Sequence, residues 1–207
     1  MSTREEVLGR IRAALGERRP APEIVRDYRT VDERPADVLR DVLVDRLEDY
    51  KASVLRCGPG DVPATVTAAL DRGLGAGWAA TDVVVAPGLP GDWRPAGTTE
   101  DDGRTATELV AFAAAVTGVA VAVAETGTLV LDGSPVSGRR ALSLLPDCLV
   151  CVVTIDQIVG GIPEGLARLD PIAPLTMISG PSATSDIELE RVEGVHGPRT
   201  LMVVLAG

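Results

Sequence analysis

Val119-Ala-Val-Ala-Val-Ala124, Glu125-Thr-Gly127 and Thr128-Leu-Val-Leu131 make up the densest β-prone stretch of the chain. Two such runs joined through a short glycine-bearing segment read as a hairpin, or as one strand bent by a bulge. Outward from this stretch, apolar runs at 51–57, 81–86, 148–154, 175–178 and 201–205 read as further strands. Segments 36–50, 61–73, 104–117 and 163–169 read as helices: the first places Val38, Leu39, Val42, Leu43 and Leu47 at helical spacing, and 104–117 is rich in alanine. The proline-, glycine- and acid-rich segment 87–103, which holds Trp93, reads as a surface loop. Strands that alternate with helices predict an α/β fold with a mixed, largely parallel sheet and flanking helices.

The aromatic residues are few (Tyr28, Tyr50, Trp78, Trp93 and Phe112), so the core has to be built from Val, Leu, Ile and Ala, as suits a parallel sheet covered by helices. The same scarcity removes the stacking platforms of a single-strand binder. With 30 acidic against 20 basic residues and a net charge of −10, nucleic acid and anionic membrane are poor partners. No apolar run approaches the ~20 residues that cross a bilayer, and the opening Ser2-Thr-Arg-Glu-Glu6 lacks the plan of a signal peptide. The expected location is cytoplasmic, with no membrane insertion. Residues 1–35 read as an N-terminal helix (2–16, with Val7, Leu8, Ile11 and Leu15 as its apolar stripe) followed by a proline-broken linker arm. Residues 36–207 form the main domain. The arm has three options: docking on the body, docking on a neighbouring subunit, or swinging free. The alanine-rich helices permit a homo-oligomer without requiring one.

Four places carry chemistry-bearing residues. Glu125 follows a buried strand, where open α/β sheets gather ligands, with the hydroxyls of Thr126 and Thr128 and the close-approach Gly127 beside it. A carboxylate there can serve as nucleophile or base, or can close a turn on backbone N–H groups. Gly138-Arg139-Arg140 offers guanidinium groups able to clamp a carboxylate or phosphate, or to sit as solvated loop charges. Asp156 and Gln157 form another polar pair at a strand end with the same two readings. Lastly, Ser179-Gly-Pro-Ser-Ala-Thr-Ser-Asp-Ile-Glu188 and Gly194-Val-His-Gly-Pro-Arg199 join two apolar runs. They concentrate Gly180, Ser182, Thr184, Asp186 and His196, the chain's one histidine, around a capping-box pattern at Ser185 and Glu188 that favours anions. Turn and cap chemistry alone uses the same residue types.

Cys148 and Cys151 spell C-x-x-C on a predicted strand, where positions i and i+3 point to opposite faces and do not converge on one metal. With only Cys57 beside them, neither a disulfide framework nor a four-thiolate cluster is available. No metal site is expected, and no Gly-x-Gly-x-x-Gly follows the early strands to hold a dinucleotide.

Four ordered segments together carry a family likeness: 124–131 around Glu125-Thr-Gly127, Arg140-Ala-Leu-Ser-Leu-Leu-Pro146, 179–188 and 194–199. They resemble the LUD-domain family of lactate utilization proteins, of the LutC (YkgG) type, over residues 36–207, and the opening helix is similar as well. The resemblance implies a NagB/RpiA/CoA transferase-like fold and a part in oxidising L-lactate to pyruvate alongside iron–sulfur partner proteins. No cofactor is expected on this chain; the clusters are expected in the partners, since an electron-transfer step needs a redox centre. The expected role is a non-redox subunit or accessory protein that binds a partner, a small carboxylate or another anion. Two alternatives stand beside it. One is an independent acyl- or CoA-transferase-like or sugar-phosphate-isomerase-like enzyme using Glu125 as catalytic residue, by analogy with the Glu-x-Gly setting of the transferases. The other is a structural scaffold.

Overall fold

The computed structural model of the protein describes residues 3–16, 23–184, 192–194 and 196–207. Helix α1 (Thr3–Leu15) is followed by α2 (Ala36–Asp49), β1 (Ser53–Cys57), α3 (Val62–Leu74), β2 (Val83–Val85), β3 (Thr99–Glu100) and α4 (Ala106–Val110). Then come β4 (Ala114–Gly118), β5 (Val121–Val123), β6 (Thr128–Leu131), β7 (Cys148–Thr154), β8 (Ile158–Val159), α5 (Ile162–Ala167), β9 (Thr176–Ile178), β10 (Ala183–Thr184), β11 (Val192–Glu193) and β12 (Thr200–Ala206).

Two sheets share the core. The larger has the order β1-β12-β7-β4-β2-β3, and its neighbours pair in parallel throughout. Its central strands β7 and β12 are almost wholly buried apolar runs, as strands covered on both faces must be. The α3 helix packs Val62, Val66, Ala69 and Leu70 into this core, and α2 adds Leu39, Leu43, Val44 and Leu47. The smaller sheet, β8-β5-β6-β9, is mixed: β5 runs parallel to β8 but antiparallel to β6, and β6 antiparallel to β9.

The 119–131 stretch is a hairpin, and its alternation shows how one sequence serves two cores. Val121, Val123, Val130 and Val159 form a small cluster with Ile162, Leu169 and Leu175 beside them. Ala122, Ala124, Leu129 and Leu131 point the other way, into the main core. In β5 a period-2 pattern thus turns the valines toward α5 and the alanines into the main core.

One expectation is overturned. The alanine-rich segment 104–117 is not a single helix: α4 ends at Val110, and Ala114–Gly118 is a central strand between β2 and β7. The start of α4 is capped reciprocally, Thr105 Oγ1 accepting from the Glu108 N–H at 3.3 Å and Glu108 Oε2 accepting from the Thr105 N–H at 2.7 Å. After barely more than one turn the chain is drawn into the sheet, where all five residues of β4 are buried. Ladder hydrogen bonds and burial on both faces outweigh the modest helical preference of alanine. The 87–103 loop also contributes the short edge strand β3.

Leu70 is fully buried and Val110 is 60% exposed at the end of α4. Leu70→Ala should therefore lower unfolding stability by about 2–5 kcal/mol, while Val110→Ala should stay within about 0.5 kcal/mol of the parent. Urea unfolding measures both, and equal effects would contradict this packing.

Candidate functional site

The loop between β6 and β7 winds through successive tight turns, with the Leu142 N–H donating to the Arg139 carbonyl at 2.9 Å and the Ser143 N–H to that of Arg140 at 3.2 Å. Leu142 anchors this loop in the core at zero exposure. The two adjacent arginines are thereby sent to different fates. Arg139 grips buried Asp101 through Nε at 2.7 Å and Nη2 at 2.9 Å and also donates to the Arg104 carbonyl. The Arg139 hydrogen bonds hold the Asp101 carboxyl below the usual carboxylate range. Arg140, by contrast, makes no ion pair among the described residues and borders a cavity.

That cavity, of about 220 Å³, has a polar side formed by Arg140, Ser143, Ser179, Ser182 and His196 and an apolar side that includes Leu144, Leu149 and Leu201. It sits at the amino ends of β7 and β12. Ser182 ties its two walls together: its N–H donates to the Pro198 carbonyl at 2.9 Å, its carbonyl accepts from the Gly194 N–H at 2.9 Å, and its Oγ accepts from the His196 N–H at 3.2 Å. The Ser182 hydroxyl proton has no acceptor among the described residues and remains available to a ligand. Arg199, which the sequence places nearby, is held away by Asp147 through a two-point pair at 2.8 and 2.6 Å, and this pairing keeps the Asp147 carboxyl below its usual range. Among the described residues, Arg140 is thus the cation left to face the cavity. One guanidinium, two or three hydroxyls and an apolar floor suit a small anion with a short apolar body. The volume lies below the ~300–1,000 Å³ of drug-sized sites, so the fit is to a metabolite of a few heavy atoms.

Of the residues expected from sequence, Arg140, Gly180, Ser182 and His196 meet at this cavity. Glu125 does not line it. Glu125 closes the β5–β6 hairpin and faces a small separate cleft with residues 29–32, Gly161, Pro163 and Glu164. Arg29 Nη2 lies 2.6 and 2.5 Å from its two oxygens, and Arg34 Nη2 lies 2.9 Å from Oε1. Asp32, with 4% of its side chain exposed, pairs with Arg34 at 2.6 Å and rests directly on Gly160. The part of the arm from Arg29 to Arg34 therefore docks on the body. Its two arginine anchors carry no local signature in sequence, because their partner Glu125 is 91 to 96 residues away, whereas Asp32 pairs locally with Arg34.

Thr126 and Thr128 form a hydroxyl chain, Oγ1 to Oγ1 at 2.7 Å, that continues from Thr128 to Ser179 Oγ at 2.8 Å and so reaches the cavity wall. Gly127, at φ +59°, presses against the Arg46 backbone of α2, where an added Cβ would lie 2.8 Å from the Arg46 Cβ. Thr184 belongs to β10, and Asp186, with the expected cap at Ser185 and Glu188, lies outside the described residues.

At the opposite, carboxyl ends of the parallel strands a wider crevice of about 630 Å³ is bordered by Trp93, Thr154, Asp156 and Arg168. Gln157 plays a structural part there, donating to the Val119 carbonyl at 2.7 Å and accepting from the Thr154 N–H at 2.9 Å. Cys148 lies against Gly73 of α3, whereas Cys151 contacts Thr117 of β4. Burial pushes both thiols up to about 12, so neither is a ready thiolate. Among the described residues no group of three His, Cys, Asp or Glu side chains comes together to hold a metal, and no helix is long and apolar enough to cross a membrane.

Comparison with known proteins places this geometry in context. The LUD domain profile matches residues 64–206. Lactate utilization protein C of Deinococcus radiodurans is 43% identical over 170 residues, covering 79% of this chain and 77% of that protein. Lactate utilization protein C 1 of Bacillus mycoides is 34% identical over 92 residues, 40% of this chain and 39% of that protein. The crystal structure of a DUF162 family protein from Deinococcus radiodurans superposes with a TM-score of 0.69 at 35% identity, covering 84% of this chain and 99% of the other.

The arm's docking carries a pH signature. Side-chain hydrogen bonds from Arg34, then its backbone N–H, lower the Asp32 carboxyl to about 2. Since the folded value is depressed, this contribution to stability is complete above the ordinary carboxylate range near 4 and is lost as pH falls toward about 2. The Arg34 amide, which donates to Asp32 Oδ1 at 3.0 Å, should report this by NMR with a midpoint near the lowered value. A midpoint near 4 would contradict the docked arm.

Proposed function

From the membership of this chain in the LUD-domain family, we propose that it serves lactate utilization as a non-redox subunit, binding a small carboxylate in the Arg140 cavity. The biological role rests on the 43% identity to a lactate utilization protein C over most of both chains. The ligand class rests on one observation: in an acidic chain whose neighbouring Arg139 and Arg199 are each committed to an aspartate, Arg140 faces a small hydroxyl-bearing cavity unpaired among the described residues.

In this reading Arg140 takes the carboxylate, the Ser182 hydroxyl donates to it or to an adjacent oxygen, and His196 closes the wall. The leucines of the floor take the short carbon body and exclude water, which strengthens the charged hydrogen bond. Electron transfer falls to iron–sulfur partner proteins, because the buried cysteines of β7 diverge and hold their protons, a donor set that does not fit a cluster. The two arginines on Glu125 engage both of its oxygens, so the nucleophile role has no supporting contact in the cavity.

A strain deleted for this gene should fail to grow on L-lactate as sole carbon source and recover with the wild-type chain, and iron–sulfur proteins should co-purify with it. Arg140→Gln should bind L-lactate at least about tenfold more weakly by calorimetry, since a hydrogen bond to a charged group contributes about 1.5–3 kcal/mol. It should also complement growth poorly while keeping the parent's unfolding midpoint. Normal growth of the deletion strain on lactate would refute the role, and unchanged lactate affinity in Arg140→Gln would refute the site.

A further inference from the structure

The Glu125 hairpin and the Arg140 cavity are separate places, yet one chain of contacts runs from the arm to the cavity wall. Arg29 and Arg34 hold the Glu125 carboxylate, and Asp32 seats the same stretch of arm on Gly160. Backbone bonds clamp the hairpin end to β8 and the residue after it: the Ala124 N–H donates to Val159 at 2.8 Å and the Glu125 N–H to Gly160 at 3.1 Å. From the next residue the hydroxyls of Thr126, Thr128 and Ser179 follow in sequence at 2.7 and 2.8 Å. Thr128 is 5% exposed, so this chain is shielded from competing water. Beyond Ser179, Gly180 and Ser182 are cavity wall.

The wall follows directly on β9, whose Ile178 pairs with Leu129 of β6, and it leans on α2 as well. Gly180, at φ +91°, packs so closely on Tyr50 at the end of α2 that an added Cβ would lie 2.7 Å from both the Tyr50 Cβ and its carbonyl oxygen. Gly127 packs on Arg46 of the same helix end. Hairpin tip and wall thus lean on one helix end and are joined to each other through the β6–β9 ladder and, at its end, the Thr128 hydroxyl.

We infer that Glu125 is a positioning residue: by fastening the arm to the hairpin tip it sets the Thr126–Thr128–Ser179 hydroxyl chain, and through it the Ser179–Ser182 wall that a small carboxylate meets. The inference rests on the carboxylate reading of the cavity for its ligand, and on the contacts alone for the coupling. It gives the arm a task at a cavity that the arm does not touch. It also accounts for a carboxylate whose two oxygens are bound by residues that reach it from outside the domain core.

Three readouts test this on the full chain: chymotryptic cleavage after Tyr28, which is 70% exposed within the arm; hydrogen exchange at the Ser182 amide, bonded to Pro198; and binding of sodium L-lactate. Glu125→Gln should speed cleavage of the arm and exchange at Ser182. It should weaken lactate by about two- to thirtyfold, the range over which remote residues commonly modulate affinity. Thr128→Val should weaken lactate and speed Ser182 exchange while leaving arm cleavage unchanged, and Thr128→Ser should restore both. Packing alone predicts the reverse order, since serine loses volume that valine keeps. An arm released in Glu125→Gln with Ser182 exchange and lactate affinity unaltered overturns the inference, as does Thr128→Val behaving like the parent. If the wild-type chain binds no lactate, the carboxylate reading fails, and Ser182 exchange in the same variants then decides the coupling by itself.

Discussion

The last turn of α2 is the support on which the second sheet and the cavity are both set. Leu39, Leu43, Val44 and Leu47 fix this helix in the core, and its end then receives two close approaches. Gly127 meets it at Arg46 and Gly180 at Tyr50, both in the left-handed region where a side chain would be strained as well as crowded. These contacts place the β5–β6 hairpin tip and the turn after β9 side by side, within reach of one hydroxyl pair. Without the two glycines, hairpin and turn would stand off the helix, and the cavity wall would lose its register against Pro198 and His196.

Charge is distributed with similar economy. In a chain with ten more acids than bases, most arginines near the site are absorbed by structure: Arg139 by Asp101, Arg199 by Asp147, Arg29 and Arg34 by Glu125 and Asp32. Each of these pairs ties segments distant in sequence, except the local pair of Arg34 with Asp32. An exposed pair such as Arg199 with Asp147 contributes little to stability by itself, and what all of these pairs share is a positional consequence. They decide which guanidinium remains to meet a ligand. Among the described residues that one is Arg140, and the surrounding serines and leucines define the size and polarity of what it can hold.

Much of the architecture was legible because the sheet is built from apolar runs with clear punctuation. The strands at 148–154 and 201–205, the helices α2 and α3, and the hairpin at 119–131 each follow from a period of two or of 3.6. Residues 104–117 misled for a physical reason. Ala114 to Val119 is a continuously buried run of small and β-branched residues, and such a run has no periodicity with which to declare itself a strand. The cavity was half legible: glycine, serine and histidine concentrated at 179–199 marked a loop of unusual chemistry, and Arg140 was visible beside it. Glu125 stands apart from this cavity for a reason its sequence hides: its motif is local, whereas the arginines that hold it are not. An ion pair spanning more than ninety residues leaves no spacing to recognise, and the arm that supplies it looked like a proline-rich linker.

The proposed ligand site lies at the amino ends of β7 and β12, and not in the wider crevice at the carboxyl ends where parallel sheets usually bind. Titration of sodium L-lactate into isotopically labelled protein, followed by amide and arginine side-chain NMR, separates the two. Binding in the Arg140 cavity should give saturable shifts at the Arg140 Nε–H and at the amides of Ser182 and Gly197, with Thr154, Asp156 and the Trp93 indole undisturbed. Shifts confined to Thr154, Asp156 and Trp93 would contradict it.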